Sequence, residues 1–285
     1  MKTHGVFAVA VAALTLSVLM TFSGNAEAAC APTPGIAASE DVEYGECLFS
    51  NRTAFGQNPL TPFPKCASCH YSGTAFQDKA VHFNILKNSK GRLLEVQRNT
   101  PTLYNAGETA PYGWDGRNAT LQAQIRDAIL NPQEMNGTGV TQEQLDALEA
   151  FVKSIKPPES PYDLFLAGDP TALSVEAVMG MDIFFGKGTC ATCHTPPLFT
   201  NNTLQKNQIN AFLGRRLDTG ALFVGTGPRY FFGVPQLRGV RSTAPYMHNG
   251  ALGTLEQVAR FYNKSFALNL TNNEIRYLVE FLRAL

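Results

Sequence analysis

Cys66-Ala67-Ser68-Cys69-His70 and Cys190-Ala191-Thr192-Cys193-His194 decide the reading of this chain. The Cys-x-x-Cys-His spacing is that of covalent haem attachment. Two thiols at this spacing add to the two vinyl groups of one porphyrin. The following His then reaches the iron from the same short helical turn. Zinc would need further Cys or His ligands, and few remain. The chain therefore reads as a carrier of two c-type haems, bound by Cys66, Cys69 and His70 and by Cys190, Cys193 and His194.

The second motif begins 124 residues after the first, which suggests a duplication. Pro101 to Ala128 aligns without gaps on Pro235 to Tyr262 at an offset of 134, with ten of 28 positions identical. The match includes Thr109-Ala110-Pro111-Tyr112 against Thr243-Ala244-Pro245-Tyr246. Each half reads as a haem motif, a variable loop, a Pro-rich approach and a helix. Helix starts are legible at Thr120, Ser174, and the capping boxes Thr141/Gln144, Thr254/Gln257 and Thr271/Glu274. Strand patterns of period two are scarce, and 195–235 reads as a long irregular stretch. Pro157-Pro158-Glu159-Ser160-Pro161 breaks helix and reads as the linker. The expected fold is mainly α: two cytochrome-c-like haem domains packed against each other, with long irregular loops. The boundaries are 1–29 for a signal peptide, 30–160 for the N-terminal haem domain and 161–285 for the C-terminal one.

Of 285 residues, 44% are hydrophobic and 16% charged, with a net charge of zero. A packed core is feasible, and no basic excess points to nucleic acid or anionic lipid. Lys2, the apolar run Val6 to Phe22 and Ala26-Glu27-Ala28 form a secretory signal pattern. An uncleaved anchor is the alternative. Thr15 and Ser17 interrupt the short run and favour cleavage, so no membrane insertion is expected of the mature chain, and the periplasm is its expected site. In that oxidising compartment the two remaining cysteines, Cys30 and Cys47, should pair. Two free thiols remain the alternative, because a separation of 17 residues does not prove proximity.

The sixth ligands distinguish the two haems. Apart from the proximal pair and His4, the only histidines are His82 and His248. Tyr262 sits on the apolar face of its helix, and its repeat mate in the first half is Ala128. A side chain able to ligate iron is thus matched by a methyl group. This predicts a closed second haem, held by His194 and Tyr262, and an open first haem, held by His70 alone. An open position admits peroxide or dioxygen, whereas two strong axial ligands favour electron transfer. A core tyrosine is the alternative role for Tyr262.

The chain resembles the bacterial di-haem cytochrome c peroxidase superfamily, nearer the branch of the methylamine-utilisation enzyme MauG. The resemblance rests on both haem motifs, Arg98 to Leu103, Trp114-Asp115-Gly116-Arg117, Asn131 to Met135, Ser160-Pro161-Tyr162-Asp163 and Thr243 to Gly250. It implies that Trp114 relays electrons between haems and that Glu134 and Gln124 stand beside the open haem. A carboxyl group there takes a proton from peroxide and returns it to the leaving oxygen. The resemblance also implies a calcium ion held by Asn99 and the carbonyls of Thr243 and Pro245. Tyr262 stands where the peroxidases carry Met and the MauG branch carries Tyr. Leu86 stands at the gating-histidine position, with His82 four residues earlier as an alternative ligand. Asp127-Ala128 departs from the family's usual Gly-Pro and leaves the pocket shape open.

Three functions follow as expectations. The first is a peroxidase that reduces hydrogen peroxide with electrons from a small cytochrome c or cupredoxin. The second is peroxide-dependent oxidation of residues in a protein substrate, as in MauG. The third is a non-enzymatic di-haem electron carrier, against which Glu134, Gln124 and the open position argue.

Overall fold

The computed structural model describes residues 29–58, 65–87, 93–207, 209 and 230–285. The signal pattern lies outside them, apart from its last residue. Seven α-helices are present among the described residues: α1 Val42–Ser50, α2 Leu121–Leu130, α3 Gln142–Ser154, α4 Pro161–Leu166, α5 Val175–Phe185, α6 Leu255–Ser265 and α7 Asn272–Ala284. Thr120, Thr141, Ser174, Thr254 and Thr271 are all N-caps, each accepting a backbone N–H three residues on. A hydroxyl at that position satisfies one of the orphan donors of the first helical turn.

Each half buries its own core. In the first, α1 packs on α3 around Leu48, Phe49, Leu148 and Phe151. In the second, α5 packs on α7 around Phe184, Leu278, Phe281 and Leu282. Both crossings need a glycine for lack of space. A Cβ on Gly45 would lie 2.0 Å from the Ala147 carbonyl oxygen, and one on Gly180 would lie 1.9 Å from that of Tyr277. Such contacts are far inside van der Waals range, so the helix backbones touch directly at these points.

Two short antiparallel hairpins interrupt the helical pattern. β1 (Val81–Lys87) pairs with β2 (Leu93–Asn99), with Val81 opposite Asn99. β3 (Leu204–Lys206) pairs with β4 (Phe231–Gly233). The sequence reading placed no strand in either loop, because three- and seven-residue strands carry little periodic signal. The expected linker also differs. Ser160 and Pro161 do not extend it but start α4: Ser160 caps the helix and Pro161 occupies its first turn. A Pro there lacks only an N–H that the helix would leave unpaired.

Candidate haem-binding site

The two attachment motifs adopt the same local structure. Each forms a 3-10 turn, Cys66–Ser68 and Cys190–Thr192, closed by the His N–H donating to the first Cys carbonyl at 2.9 Å. His70 Nδ1 lies 2.9 Å from the Phe76 carbonyl, and His194 Nδ1 lies 2.9 Å from that of Phe199. A carbonyl only accepts, so Nδ1 carries the proton and Nε2 keeps its lone pair for a metal. Burial lowers the pKa of both imidazoles, against the opposing pull of these carbonyls. Phe76 and Phe199 turn back through left-handed backbone, φ 54° and 58°, which brings their carbonyls to the rings.

Cys66, Cys69, Cys190 and Cys193 are not disulfide-bonded, whereas Cys30 and Cys47 are joined to each other. Burial pushes the Cys66 and Cys69 thiols up to about 12 and that of Cys190 to about 11. Thiols so hard to ionise do not suit disulfide exchange.

A polar cluster faces the first motif. Glu134 accepts from Asn131 Nδ2 at 2.8 Å and is close enough to act electrostatically on both Cys66 and Cys69. Asn118 Nδ2 donates to Gln124 Oε1 at 3.0 Å and to Asp127 Oδ2 at 3.3 Å. Burial, then the charge of Asp127, raise the Glu134 pKa, and Arg117 and Asn131 do not cancel them. Ala128 contributes only a methyl group from α2. His82 Nε2 lies 2.6 Å from Asp78 Oδ2, so this nitrogen is engaged by a carboxylate. Leu86 lies on β1 opposite Leu94.

The second motif faces a different environment. Tyr262, on α6, is close enough to Cys190 and Cys193 for their charges to act on its phenol. Asn207 Nδ2 lies 3.5 Å from its hydroxyl. Burial, with those sulfurs second, pushes the phenol up to about 12, so it becomes a phenolate only beside a cation. The structure therefore puts Tyr262 over one motif and the Gln124–Asp127–Glu134 cluster over the other.

Between the halves, Trp114 Nε1 donates to the Asn99 carbonyl at 2.7 Å, and the Asn99 N–H donates to the His248 carbonyl at 2.7 Å. Asn99 Nδ2 also reaches the Pro245 carbonyl at 2.5 Å, and Gln77 Nε2 donates to that of Ala244 at 2.9 Å. Asp115, with no side-chain exposure, is bracketed by Arg98 at 3.4 Å and Arg117 at 2.8 Å. Burial raises its pKa, but the two guanidiniums outweigh this and hold it below the usual carboxylate range. His248 is buried and stacks on Phe232 with centroids 3.7 Å apart. Burial, then the charge of Arg98, push its pKa down to about 3.

Residues 39–145 match the sequence profile of the family described as di-haem cytochrome c peroxidase. The cytochrome-c peroxidase IdrP2 of Denitromonas iodatirespirans is 28% identical, over 92% of this chain and 86% of its own length. The methylamine utilization protein MauG of Methylorubrum extorquens is 29% identical, over 86% of this chain and 78% of its own. Over residues 39–145, and in these relatives, the chain resembles the di-haem cytochrome c peroxidases. The crystal structure of a MauG-like protein associated with microbial copper homeostasis shares its fold, with a TM-score of 0.71 at 24% identity, over 90% of this chain and 91% of that one.

The relatives so named are oxidoreductases, and the description of the matched family implies two c-type haems. The residues present fit that group. Four cysteines stay unpaired in two 3-10 turns, two imidazoles set Nδ1 against a backbone carbonyl, and two buried polar atoms, Asn99 Oδ1 and His248 Nε2, lack a hydrogen-bond partner among the described residues. Sequence reasoning missed Asn207, Phe232 and the Asp78–His82 pair. Each lies in a variable loop or short hairpin, where no spacing rule announces a role. Asp115 and His248 stood inside recognised motifs but carried no role there.

Proposed function

We infer that the protein reduces hydrogen peroxide at the haem of Cys66, Cys69 and His70. Its electrons would reach that haem through the one held by Cys190, Cys193, His194 and Tyr262. One observation carries this reading: a phenol faces the second motif, while a methyl group and a carboxylate cluster face the first. A c-type haem held there by Cys66, Cys69 and His70 would supply peroxide binding and electron exchange.

The chain's own groups account for the protons. Glu134, its pKa raised, takes the proton from the near oxygen of peroxide and delivers it to the leaving oxygen. Gln124, held by Asn118, orients the substrate. Two electrons and two further protons complete reduction to two waters. Trp114, tied to the Asn99 peptide, couples the halves. The two cores support domains of 30–160 and 161–285, each with one haem turn.

A calcium ion at Asn99 Oδ1 and the Thr243 and Pro245 carbonyls would join the halves. The unpartnered Oδ1, beside a carbonyl to which it is linked only by the amide nitrogen, supports this. A cation in place of that hydrogen bond gives hard oxygen ligands to one ion. Electrons would come from a small periplasmic cytochrome c or cupredoxin. In the second reading they come from residues of a protein substrate. Tyr262 favours that reading, because an anionic oxygen ligand stabilises the oxidised iron more than a thioether does.

An electron paramagnetic resonance spectrum of the ferric protein, paired with peroxide turnover on reduced cytochrome c, tests the proposal. One high-spin and one low-spin signal with turnover is expected. Two low-spin signals and no turnover would overturn it.

A further inference from the structure

The repeat that pairs Ala128 with Tyr262 also pairs Trp114 with His248, at the same offset of 134. The structure bears out their equivalence. Each follows a cis-proline, Pro111 or Pro245, and each loop is closed by a bridge, Tyr112 with Asn118 or Tyr246 with Leu252. The two residues are also joined. The Trp114 indole donates to Asn99 O, and Asn99 N donates to His248 O. The Trp114 carbonyl accepts from Gly233 N at 2.9 Å, and the adjacent Phe232 stacks on the His248 ring at 12°. Trp114, Asn99, His248 and the Phe232–Gly233 strand thus close a ring across the seam.

His248 stands out in that ring. Its residue exposure is 2%, yet Nε2 has no hydrogen-bond partner among the described residues. Leaving a buried polar nitrogen unpaired is costly, so the fold holds it for something. Stacking on Phe232 fixes the ring plane and therefore the direction in which Nε2 points. The Arg98 guanidinium lies 5.9 Å from the other partner of that stack, and Arg98 and Arg117 share the single carboxylate of Asp115, so the seam carries one positive charge in excess and favours a further anion. The anion that a two-haem protein must house is the propionate carboxylate, carried on the porphyrin edge opposite the vinyl groups that the cysteines hold.

We propose that His248 is a positioning residue that donates its Nε2 hydrogen to a propionate carboxylate of one haem, fixing that haem against the Trp114 side of the seam. This rests on the two-haem reading above. The interaction neutralises part of the carboxylate charge near the iron. Its loss favours the ferric form, so the midpoint potential of that haem falls.

The test compares the two-haem wild type with His248→Phe, His248→Gln and His248→Asn. Mass spectrometry counts haems, resonance Raman spectroscopy reads the propionate-bending bands, and spectroelectrochemistry reads both midpoint potentials. Phe keeps the stack and removes the donor. The amide of Gln reaches the place of Nε2, whereas that of Asn reaches only Nδ1. Phe and Asn should shift one propionate band and lower one potential, and Gln should restore both toward wild type. If Phe fails to fold, the contrast of Gln with Asn still decides. Bands and potentials that stay at wild-type values in Phe and Asn would overturn the proposal, as would equal shifts in all three variants, the sign of a packing effect. Fewer than two haems in the wild type would instead overturn the two-haem reading.

Discussion

Trp114 is fixed to Asn99 by a 2.7 Å hydrogen bond from the indole to a backbone carbonyl. The only tryptophan of the chain is therefore held by an element of its own half, β2, whose last residue also reaches the other half through the carbonyls of Pro245 and His248. Trp114→Phe removes the donor but keeps an aromatic ring. The first haem should still react with peroxide at the wild-type rate, while transfer of the oxidising equivalent to the second haem slows. Stopped-flow absorbance followed separately for the two haems checks this, and equal rates for both in the variant would exclude Trp114 from the relay.

Glu134 is proposed as the proton shuttle, and its pKa is raised above the ordinary 4.5. The accepting form is the carboxylate, so the rate of reaction with peroxide should rise with pH through this elevated value and then level. Glu134→Gln should keep both haems, slow the reaction by about 100- to 10,000-fold and flatten the profile. A variant with the wild-type rate and profile would make Glu134 a bystander.

Tyr262 is the expected axial ligand of the second haem. Tyr262→Phe should convert the low-spin ferric signal to a second high-spin one with both haems retained. Tyr262→Met should keep it low-spin and raise the midpoint potential, because a thioether favours the ferrous state. An unchanged spectrum in Tyr262→Phe would return Tyr262 to the core.

Asp115 is buried between Arg98 and Arg117. Asp115→Asn leaves these cations without their shared anion and should cost about 3–5 kcal/mol at neutral pH. The folded pKa is depressed, so the carboxylate stabilises the fold above its unfolded value near 3.8. That contribution is lost as pH falls through the folded value. The stability difference between wild type and variant, read from urea denaturation, should therefore shrink below pH 3.8 and be constant above about pH 5.

The disulfide closes a loop of 17 residues that leads into α1. Replacing Cys30 and Cys47 together by Ala should cost about 3 kcal/mol through the freed unfolded chain. Haem content and spectra should not change, because neither residue belongs to an attachment turn.

Much of this architecture is legible in the sequence because covalent chemistry and helix capping leave local marks. The two motifs, the five capping residues and the repeat that pairs Ala128 with Tyr262 are all short-range or periodic signals. The hairpins are not, since β3 and β4 are three residues each and stand far apart in the chain. The glycine crossings at Gly45 and Gly180 also escaped, because closeness of two helices far apart in the chain has no local signature. Asn207 reaches Tyr262 only through tertiary folding, and its own neighbourhood in the chain looks like any polar loop.

The β1–β2 register has a consequence for how such a protein can diverge. Asn99, at the end of β2, is the residue on which Trp114, Pro245 and His248 all converge. Strand side chains alternate between faces, so a one-residue slip would turn Asn99 to the opposite side. Both helical cores and both attachment turns lie outside the hairpin and would survive it. A single inserted or deleted codon in β2 would then leave a folded protein that has lost the proposed path between its two haem turns. The hairpin is therefore where the coupling proposed between the halves would be lost in one mutational step.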